Sequence, residues 1–127
     1  MARVKIIPRI KRILHVPKTC CINIIYDPFL RYEKHKHVIQ PGHLYLKRGD
    51  KVVFMTRGTA AKIFIPRADI LFGIPKNSII DVSGSGHSVA FNVQRNAPTG
   101  WYPYSSYCKN GNDFAEGGTS PGMIVDP

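Results

Sequence analysis

The carboxy-terminal third of the chain, residues 86–127, constrains the fold more than any other stretch. Apolar and polar residues alternate over 87–93, as in a strand with one buried face. After a turn-rich stretch, residues 100–108 read GWYPYSSYC, an aromatic run that ends at a cysteine. A Gly/Asn/Ser/Pro loop then leads to a last short apolar strand at 123–125. The pattern is typical of sheet strands joined by turns.

The same strand–turn pattern continues upstream, from residue 20 onward. Strand signals recur about every 8–12 residues, with turns such as Gly49-Asp50 between them. The chain has 127 residues, with 11 glycines and 10 prolines, which suits many short strands. This spacing predicts one all-β domain, a Greek-key sandwich of seven or eight strands, and leaves 67–76 open between a loop and a helical turn. The residues predicted to face the core are Val52, Phe54, Ile63, Ile65, Val89, Phe91 and Val93.

The first eighteen residues form a separate basic segment. Apolar residues recur there at helical spacing, and basic residues lie between them with no acidic neighbour. We therefore divide the chain into a basic amphipathic segment at 1–18 and a sandwich at 19–127. The segment is expected to bind a partner or a membrane surface, or else to join the sheet as an extended arm. Its predicted binding residues are Arg3, Lys5, Ile6, Arg9, Ile10, Lys11, Arg12, Ile13 and Leu14.

The formal net charge of +10 is distributed unevenly along the chain. Residues 1–26 carry six basic and no acidic side chains, residues 27–76 carry ten and four, and residues 77–127 carry two and four. Such asymmetry favours an anionic partner: nucleic acid, an acidic protein surface or an anionic membrane. No apolar run approaches the roughly 18 residues of a membrane span. No signal-peptide pattern is evident, so a cytoplasmic location is expected.

Motifs that carry chemistry are sparse. The three cysteines, Cys20, Cys21 and Cys108, are odd in number and do not indicate a disulfide framework. The sequence lacks a Gly-rich phosphate loop, a nucleophile elbow and a His-Glu-x-x-His zinc motif, so we expect no enzyme. His35 and His37 alternate in a charged stretch; with His43 nearby they could bind a metal, but we interpret them as solvated.

Four aromatic residues, Trp101, Tyr102, Tyr104 and Tyr107, cluster just before Cys108. Packing on both faces of one strand is one interpretation. The other is that an exposed subset forms a surface for binding a partner.

Several short motifs resemble those of cupredoxins, the small Greek-key sandwiches that hold blue copper. Residues 49–54 read GDKVVF and are similar to the family's Gly-Asp-x-Val-x-Phe strand. Residues 100–108 resemble the strand that delivers the copper thiolate, lengthened by two residues, and 122–125 resemble the ending that supplies an axial methionine. The run at 112–121 resembles the copper-free ending of small bacterial cupredoxin-like proteins. The resemblance implies a cupredoxin-like fold for residues 20–127.

The resemblance does not extend to a complete ligand set. A blue-copper site needs two imidazoles and a thiolate in one plane, with a weak axial ligand. The two windows in which the family has histidines read TAAK at 59–62 and KNGND at 109–113. Lys62 is expected to bring a positive charge close to the first missing imidazole. We therefore expect no cofactor. The residues that would bind copper in a rearranged site are Cys108, Met123, His87 and His43.

The favoured interpretation is a non-enzymatic accessory or binding module with a degenerate copper site. It would dock through its basic regions on an acidic protein partner or a larger assembly, and a homo-oligomer is left open. The first alternative is a small electron-transfer protein that binds copper through Cys108, Met123 and rearranged histidines. The second is a nucleic-acid-binding β-barrel, which only the charge suggests, because the basic stretches lack the interleaved aromatic residues that base stacking uses.

Overall fold

A computed structural model describes residues 15–27, 37–84, 86–109, 113–115 and 121–127, with the backbone alone described at 113–115. In chain order its strands are β1 (Thr19–Tyr26), β2 (His37–Gln40), β3 (His43–Leu46), β4 (Lys51–Arg57), β5 (Ala61–Ile65), β6 (Ser78–Val82), β7 (Ser88–Asn92), β8 (Gly100–Pro103), β9 (Ser105–Cys108), β10 (Asp113–Ala115) and β11 (Gly122–Val125). One short helix, α1 (Ala68–Phe72), lies between β5 and β6.

The first layer is a four-stranded sheet in the order β2-β1-β4-β7. Its central pair is parallel, with Thr19 opposite Lys51 and Ile25 opposite Arg57. The strands β2 and β7 pair antiparallel at the two edges. The chain leaves this layer between β2 and β4, and again between β4 and β7, to supply strands to the second layer. The predicted all-β sandwich, in which the chain crosses repeatedly between layers, is confirmed.

The second layer consists of the sheets β10-β9-β5-β6 and β3-β11-β8. They meet at Tyr104, the single residue between β8 and β9. Side chains keep one alternation through this break, since Tyr102, Tyr104, Ser106 and Cys108 are all buried and the residues between them face outward. The predicted strand that ends at the cysteine is therefore confirmed as one extended run.

The described residues contain eleven short strands, so the prediction of seven or eight is wrong in number. Local breaks divide patterns that look continuous in the sequence, at Tyr104 and at the turn of Pro41 and Gly42. The ambiguous stretch at 67–76 contains α1, which ends at Gly73 in the left-handed conformation that glycine tolerates best, with φ 72°. No helix in the described ranges is long and apolar enough to cross a membrane.

Apolar side chains from both layers meet in one core cluster. Five of the seven predicted core residues are buried there: Val52, Phe54, Ile63, Ile65 and Val93. Val89 and Phe91 are half-buried and pack against the cluster from its margin. The alternation of apolar and polar residues along β7 therefore correctly predicts that both side chains face inward. Their burial is incomplete because β7 is an edge strand, which has a neighbour on one side only.

Candidate functional site

The two sulfur-bearing positions named from the sequence lie inside the domain. Cys108 is the last residue of β9 and stands directly opposite Ala61 of β5. Met123 lies in β11, opposite Tyr102 of β8. Both side chains are fully buried in the core cluster. Each therefore contributes apolar packing to the interior.

The window that lacks the first histidine forms the turn between β4 and β5. Thr59 is buried, and its hydroxyl donates a hydrogen bond to the carbonyl of Ala60 at 2.7 Å. The backbone amide of Lys109 donates to the same carbonyl at 2.9 Å. The two windows that the resemblance singles out therefore do meet at one end of the sandwich. The first window brings methyl and hydroxyl groups to this end, where a copper site would need an imidazole.

Lys62 faces away from this position, so the expected positive charge beside it is wrong. Its ammonium lies 2.7 Å from the carboxylate of Asp81 on the outer surface. The hydrogen bond from Lys62 lowers the pKa of that carboxyl below its ordinary value. Because side chains alternate across a strand, a residue next to the inward Ala61 must point to the solvent side.

The described histidines lie in different parts of the domain. His43 is exposed at the start of β3, and its ring meets Trp101 edge-on with 5.1 Å between centroids. His87 is exposed in the turn before β7, in the first layer. His37 is not solvated as interpreted from the sequence; it is buried against Tyr26, with ring centroids 4.7 Å apart. Within the described ranges, no three His, Cys, Asp or Glu side chains form a group that could hold a metal.

The candidate copper ligands, Cys108, Met123, His43 and His87, do not fit a blue-copper centre. Such a centre takes two imidazole nitrogens and a thiolate in its plane. Cys108 and Met123 offer sulfur only, and Cys108 pairs with Ala61 of β5 on one side and Asp113 of β10 on the other, neither of which is a histidine. Both imidazoles would have to come from elsewhere, and His43 and His87 occupy exposed positions.

Two hydroxyl groups are buried on the same inward row as Cys108. Tyr104 and Ser106 occupy alternate positions before it, and neither hydroxyl has a hydrogen-bond partner among the described residues. Tyr104 packs edge-on against Phe54, with 5.7 Å between ring centroids. Burial raises the pKa of Tyr104, so its hydroxyl stays protonated at neutral pH. A neutral phenol held in the core suits packing better than proton transfer.

Sequence reasoning misses the role of Asp50, a fully buried carboxylate at the far end of β4 from the 59–62 window. It accepts hydrogen bonds from the backbone amides of Lys18 at 3.1 Å and Lys47 at 2.9 Å, and it contacts the ring of His15. Burial by itself raises the pKa of Asp50, but these hydrogen bonds outweigh it and hold the pKa below its ordinary value. The Gly-Asp turn is visible in the sequence; a contact with a residue 35 positions away is not.

The partner-binding residues predicted from the sequence all lie outside the described residues, which begin at His15. They are Arg3, Lys5, Ile6, Arg9, Ile10, Lys11, Arg12, Ile13 and Leu14. Residues 15–18, assigned to the same segment, contact the sandwich. The amide of Lys51 donates to the carbonyl of Lys18 at 2.9 Å, and Lys18 and His15 both contact Asp50.

Four exposed cations surround the point where the basic segment reaches the sandwich. Lys18, Lys47 and Lys51 are held together through Asp50 and the backbone contacts around it. Arg48 belongs to the same turn. The carboxylate at their centre is buried and already hydrogen-bonded. The Lys47 ammonium donates to the carbonyl of Pro127 at 2.9 Å and Arg48 Nε donates to the carbonyl of Ala97 at 2.7 Å, and all four residues remain exposed. We call Lys18, Lys47, Arg48 and Lys51 the basic end.

The aromatic cluster before Cys108 divides between interior and surface. Tyr102 and Tyr104 are buried, Tyr107 is half-buried, and Trp101 is exposed. Arg67 holds Trp101 through a hydrogen bond to its carbonyl at 3.3 Å. The packing interpretation is therefore confirmed for Tyr102 and Tyr104, and a partner-binding surface at the exposed Trp101 stays a prediction.

No family model and no curated protein matches the chain. Among solved structures it is similar to a mutant of amicyanin in its reduced Cu(I) form at pH 4, at 12% identity, 84% coverage of this chain, 82% of that chain and a TM-score of 0.46. Another reduced amicyanin mutant is 12% identical, with 82% of this chain and 80% of that chain covered and a TM-score of 0.47. A purple cupredoxin from Nitrosopumilus maritimus is 14% identical, with 82% of this chain and 98% of that chain covered and a TM-score of 0.44. All three similarities extend over most of this chain, with TM-scores below 0.5.

Proposed function

We propose that this chain is a non-enzymatic, cupredoxin-like accessory module that docks on an acidic protein partner or assembly through its basic regions. The basic end carries the proposal. Lys18 and the turn at 47–51 are distant in sequence, yet the fold gathers their cations around one point. The basic segment joins the sandwich at that same point, so its five cations within 1–14 add to the four of the basic end.

Long-range electrostatics explain why such a distribution selects an acidic partner. Clustered charge of one sign steers an oppositely charged surface and speeds its association. Pairs that stay exposed are individually weak, at about 0–1 kcal/mol each. Docking through the basic end should therefore depend on many contacts and weaken as salt rises.

Reversing one charge of the basic end is expected to weaken binding to a polyanion. Lys51→Glu should lower the affinity for poly-L-glutamate roughly fivefold at low salt, which corresponds to about 1 kcal/mol. Arg57→Glu is the matched control, because Arg57 is also exposed and lies at the opposite end of β4, roughly 20 Å away. Removing residues 1–14 should lower the affinity further. Fluorescence anisotropy of labelled poly-L-glutamate measures all three changes.

The controls separate docking at the basic end from general charge attraction. Equal losses for Lys51→Glu and Arg57→Glu would show that only the net charge matters and would contradict the proposal. Single-stranded DNA serves as a second probe. If the chain binds DNA far more tightly than poly-L-glutamate at the same salt, the nucleic-acid alternative replaces the acidic partner.

Copper binding is the second candidate, because the fold keeps both Cys108 and Met123 in the core. We expect that adding Cu(II) to the reduced chain produces no intense thiolate-to-copper absorption at about 600 nm, since neither ligand window contains a histidine. Cys108→Ser should still fold, with a loss of about 1–2 kcal/mol from placing a hydroxyl in an apolar position. Visible absorption and denaturant unfolding measure the two outcomes.

A strong blue or purple colour that disappears in Cys108→Ser would overturn the first expectation and favour the electron-transfer alternative. His43→Ala and His87→Ala would then show whether either histidine is recruited. Loss of colour in one of them would identify the rearranged imidazole ligand.

A further inference from the structure

The outer surface of the second layer carries an apolar face that docking through the basic end does not use. Among the described residues, the large apolar side chains with substantial exposure are Val16, Tyr45, Phe64, Ile79 and Trp101. All except Val16 lie on this one side, and Tyr45 and Ile79 are 60% and 62% exposed. We call Tyr45, Phe64, Ile79 and Trp101 the apolar face. Exposed apolar groups that share one surface usually contact something.

Strand register divides the apolar face into two parts. In the first, Ile124 of β11 stands between Tyr45 of β3 and Trp101 of β8. In the second, Phe64 of β5 is directly opposite Ile79 of β6. Phe64 also pairs with Ser105, four residues beyond Trp101, so the two parts are about 13 Å apart along the strands. With strands about 4.8 Å apart, Tyr45 and Trp101 are separated by roughly 10 Å.

Trp101 is fixed in place at the centre of this surface. Atoms of its six-membered ring lie so close to Gly122 that a Cβ there would come within 2.2–2.6 Å of them. Glycine is therefore required at position 122 for the indole to rest on β11. The ring of His43 supports the indole edge-on. Although it is held against the sheet, Trp101 keeps 40% of its surface exposed.

The charge around the face requires a cover that keeps its own cations on the solvent side. Lys62 and Asp81 neutralise each other in the row beyond Phe64, while Arg67 lies beside Trp101, 3.3 Å from its carbonyl. The chain carries +10, of which residues 1–14 contribute five, so net charge opposes a second copy and this segment alike. The distance to the face, and not charge, therefore selects the cover.

The basic segment reaches the domain beside this face. His15 contacts Asp50, and the same carboxylate accepts a hydrogen bond from the amide of Lys47, two residues after Tyr45. Two extended residues span about 7 Å. Residues 1–14 therefore join the domain next to β3, the edge strand of the apolar face.

We propose that residues 1–14 of the same chain cover the part of the apolar face formed by Tyr45 and Trp101. Pro8 can start a helix but not continue one, so a helix over 8–14 spans about 10 Å, which matches the separation of Tyr45 and Trp101. Ile10 and Ile13 then lie against these two side chains, and the basic side chains point to solvent. Covering the face needs no partner protein, so this packing can be correct even if the proposed docking is wrong, and the reverse also holds.

The experiment uses the one tryptophan of the chain, since emission from Trp101 reports on the apolar face alone. The full chain is compared with a truncation lacking residues 1–14 and with the double variant Ile10→Asp, Ile13→Asp. In both variants we expect the emission maximum to move to longer wavelength and quenching by acrylamide to become more efficient. Arg9→Ser with Arg12→Ser is the matched control, because it changes the polar side of the segment, and it should leave the emission as in the full chain.

Each measurement is repeated over a wide range of protein concentration, with circular dichroism to confirm the sheet. If the truncated chain loses the circular-dichroism signal of the sheet, the proposal is tested by the double variant, which keeps the whole chain. Identical emission from the full chain and the variant overturns the proposal, since Trp101 is then uncovered in the free protein. A difference that appears only at high concentration also overturns it, because the cover would then come from a second copy.

Discussion

Replacing Asp50 with alanine is expected to lower the free energy of unfolding by about 2–6 kcal/mol, because two backbone amides lose their acceptor at about 1–3 kcal/mol each. The carboxylate is fully buried and accepts hydrogen bonds from the amides of Lys18 and Lys47. Without it, both amides lose their acceptor in a site from which the side chain excluded water. The residues that lead into β1 would lose their anchor to the turn before β4. Denaturant unfolding followed by circular dichroism measures the loss.

Two comparisons test whether the burial of Asp50 causes this loss. Asp50→Asn keeps an oxygen that can accept one of the amide hydrogen bonds, so it should be less damaging than alanine. Asp81→Ala removes an exposed carboxylate that pairs only with Lys62 and should have a small effect. If Asp50→Ala is no worse than Asp81→Ala, the carboxylate does not anchor the chain.

The same anchor should make stability depend on pH. The pKa of Asp50 in the folded chain lies below its ordinary value of 3.8, which applies to the unfolded chain. A depressed pKa contributes stability above the unfolded value, and this contribution is lost as the pH falls through the folded value. The stability difference between the native chain and Asp50→Asn should therefore be constant near neutrality and shrink below about pH 4. A difference that grows in acid would contradict the sign.

The strand pattern of the fold could be predicted because it depends on local alternation. The run at 100–108 keeps one phase through Tyr104, as the strand predicted to end at Cys108 requires. The order of strands does not follow from alternation. Val89 and Phe91 alternate as core residues do, but only the pairing of β7 with a single neighbour shows that their burial is partial. Edges are set by long-range pairing and leave no local mark.

The candidate site also has features that can be predicted from the sequence and features that require the fold. The absence of imidazoles from both ligand windows can be seen in the sequence, and the fold does bring those windows together. The direction of Lys62 requires the register of β5, because a shift of one residue exchanges inner and outer faces. The contact between His15 and Asp50 joins two stretches that have no shared pattern. The position of the Trp101 ring likewise depends on Gly122 across the sheet, which has no Cβ to displace it.

Phe54→Ala is the second substitution with a large expected effect, a loss of about 3–5 kcal/mol in the free energy of unfolding. Phe54 is fully buried on a central strand of the first layer. Its ring meets Tyr104 of the second layer edge-on, with 5.7 Å between centroids, so it links the two layers. Alanine would leave a cavity with strands on both sides, which limits how far the site can collapse. Denaturant unfolding of the variant beside the native chain measures the loss.

Phe91→Ala is the matched control because it removes the same atoms from the neighbouring strand. Alternation alone assigns Phe91 the full core cost of about 3–5 kcal/mol. The structure lowers this expectation to about 1–2 kcal/mol, because Phe91 is half-buried on an edge strand and its truncated site can be filled by solvent. The ring stacks on Phe72 of α1 at 5.2 Å, so part of the loss should come from that contact. Equal losses at the two positions would contradict the argument, because they would mean that the open side of β7 is covered in solution.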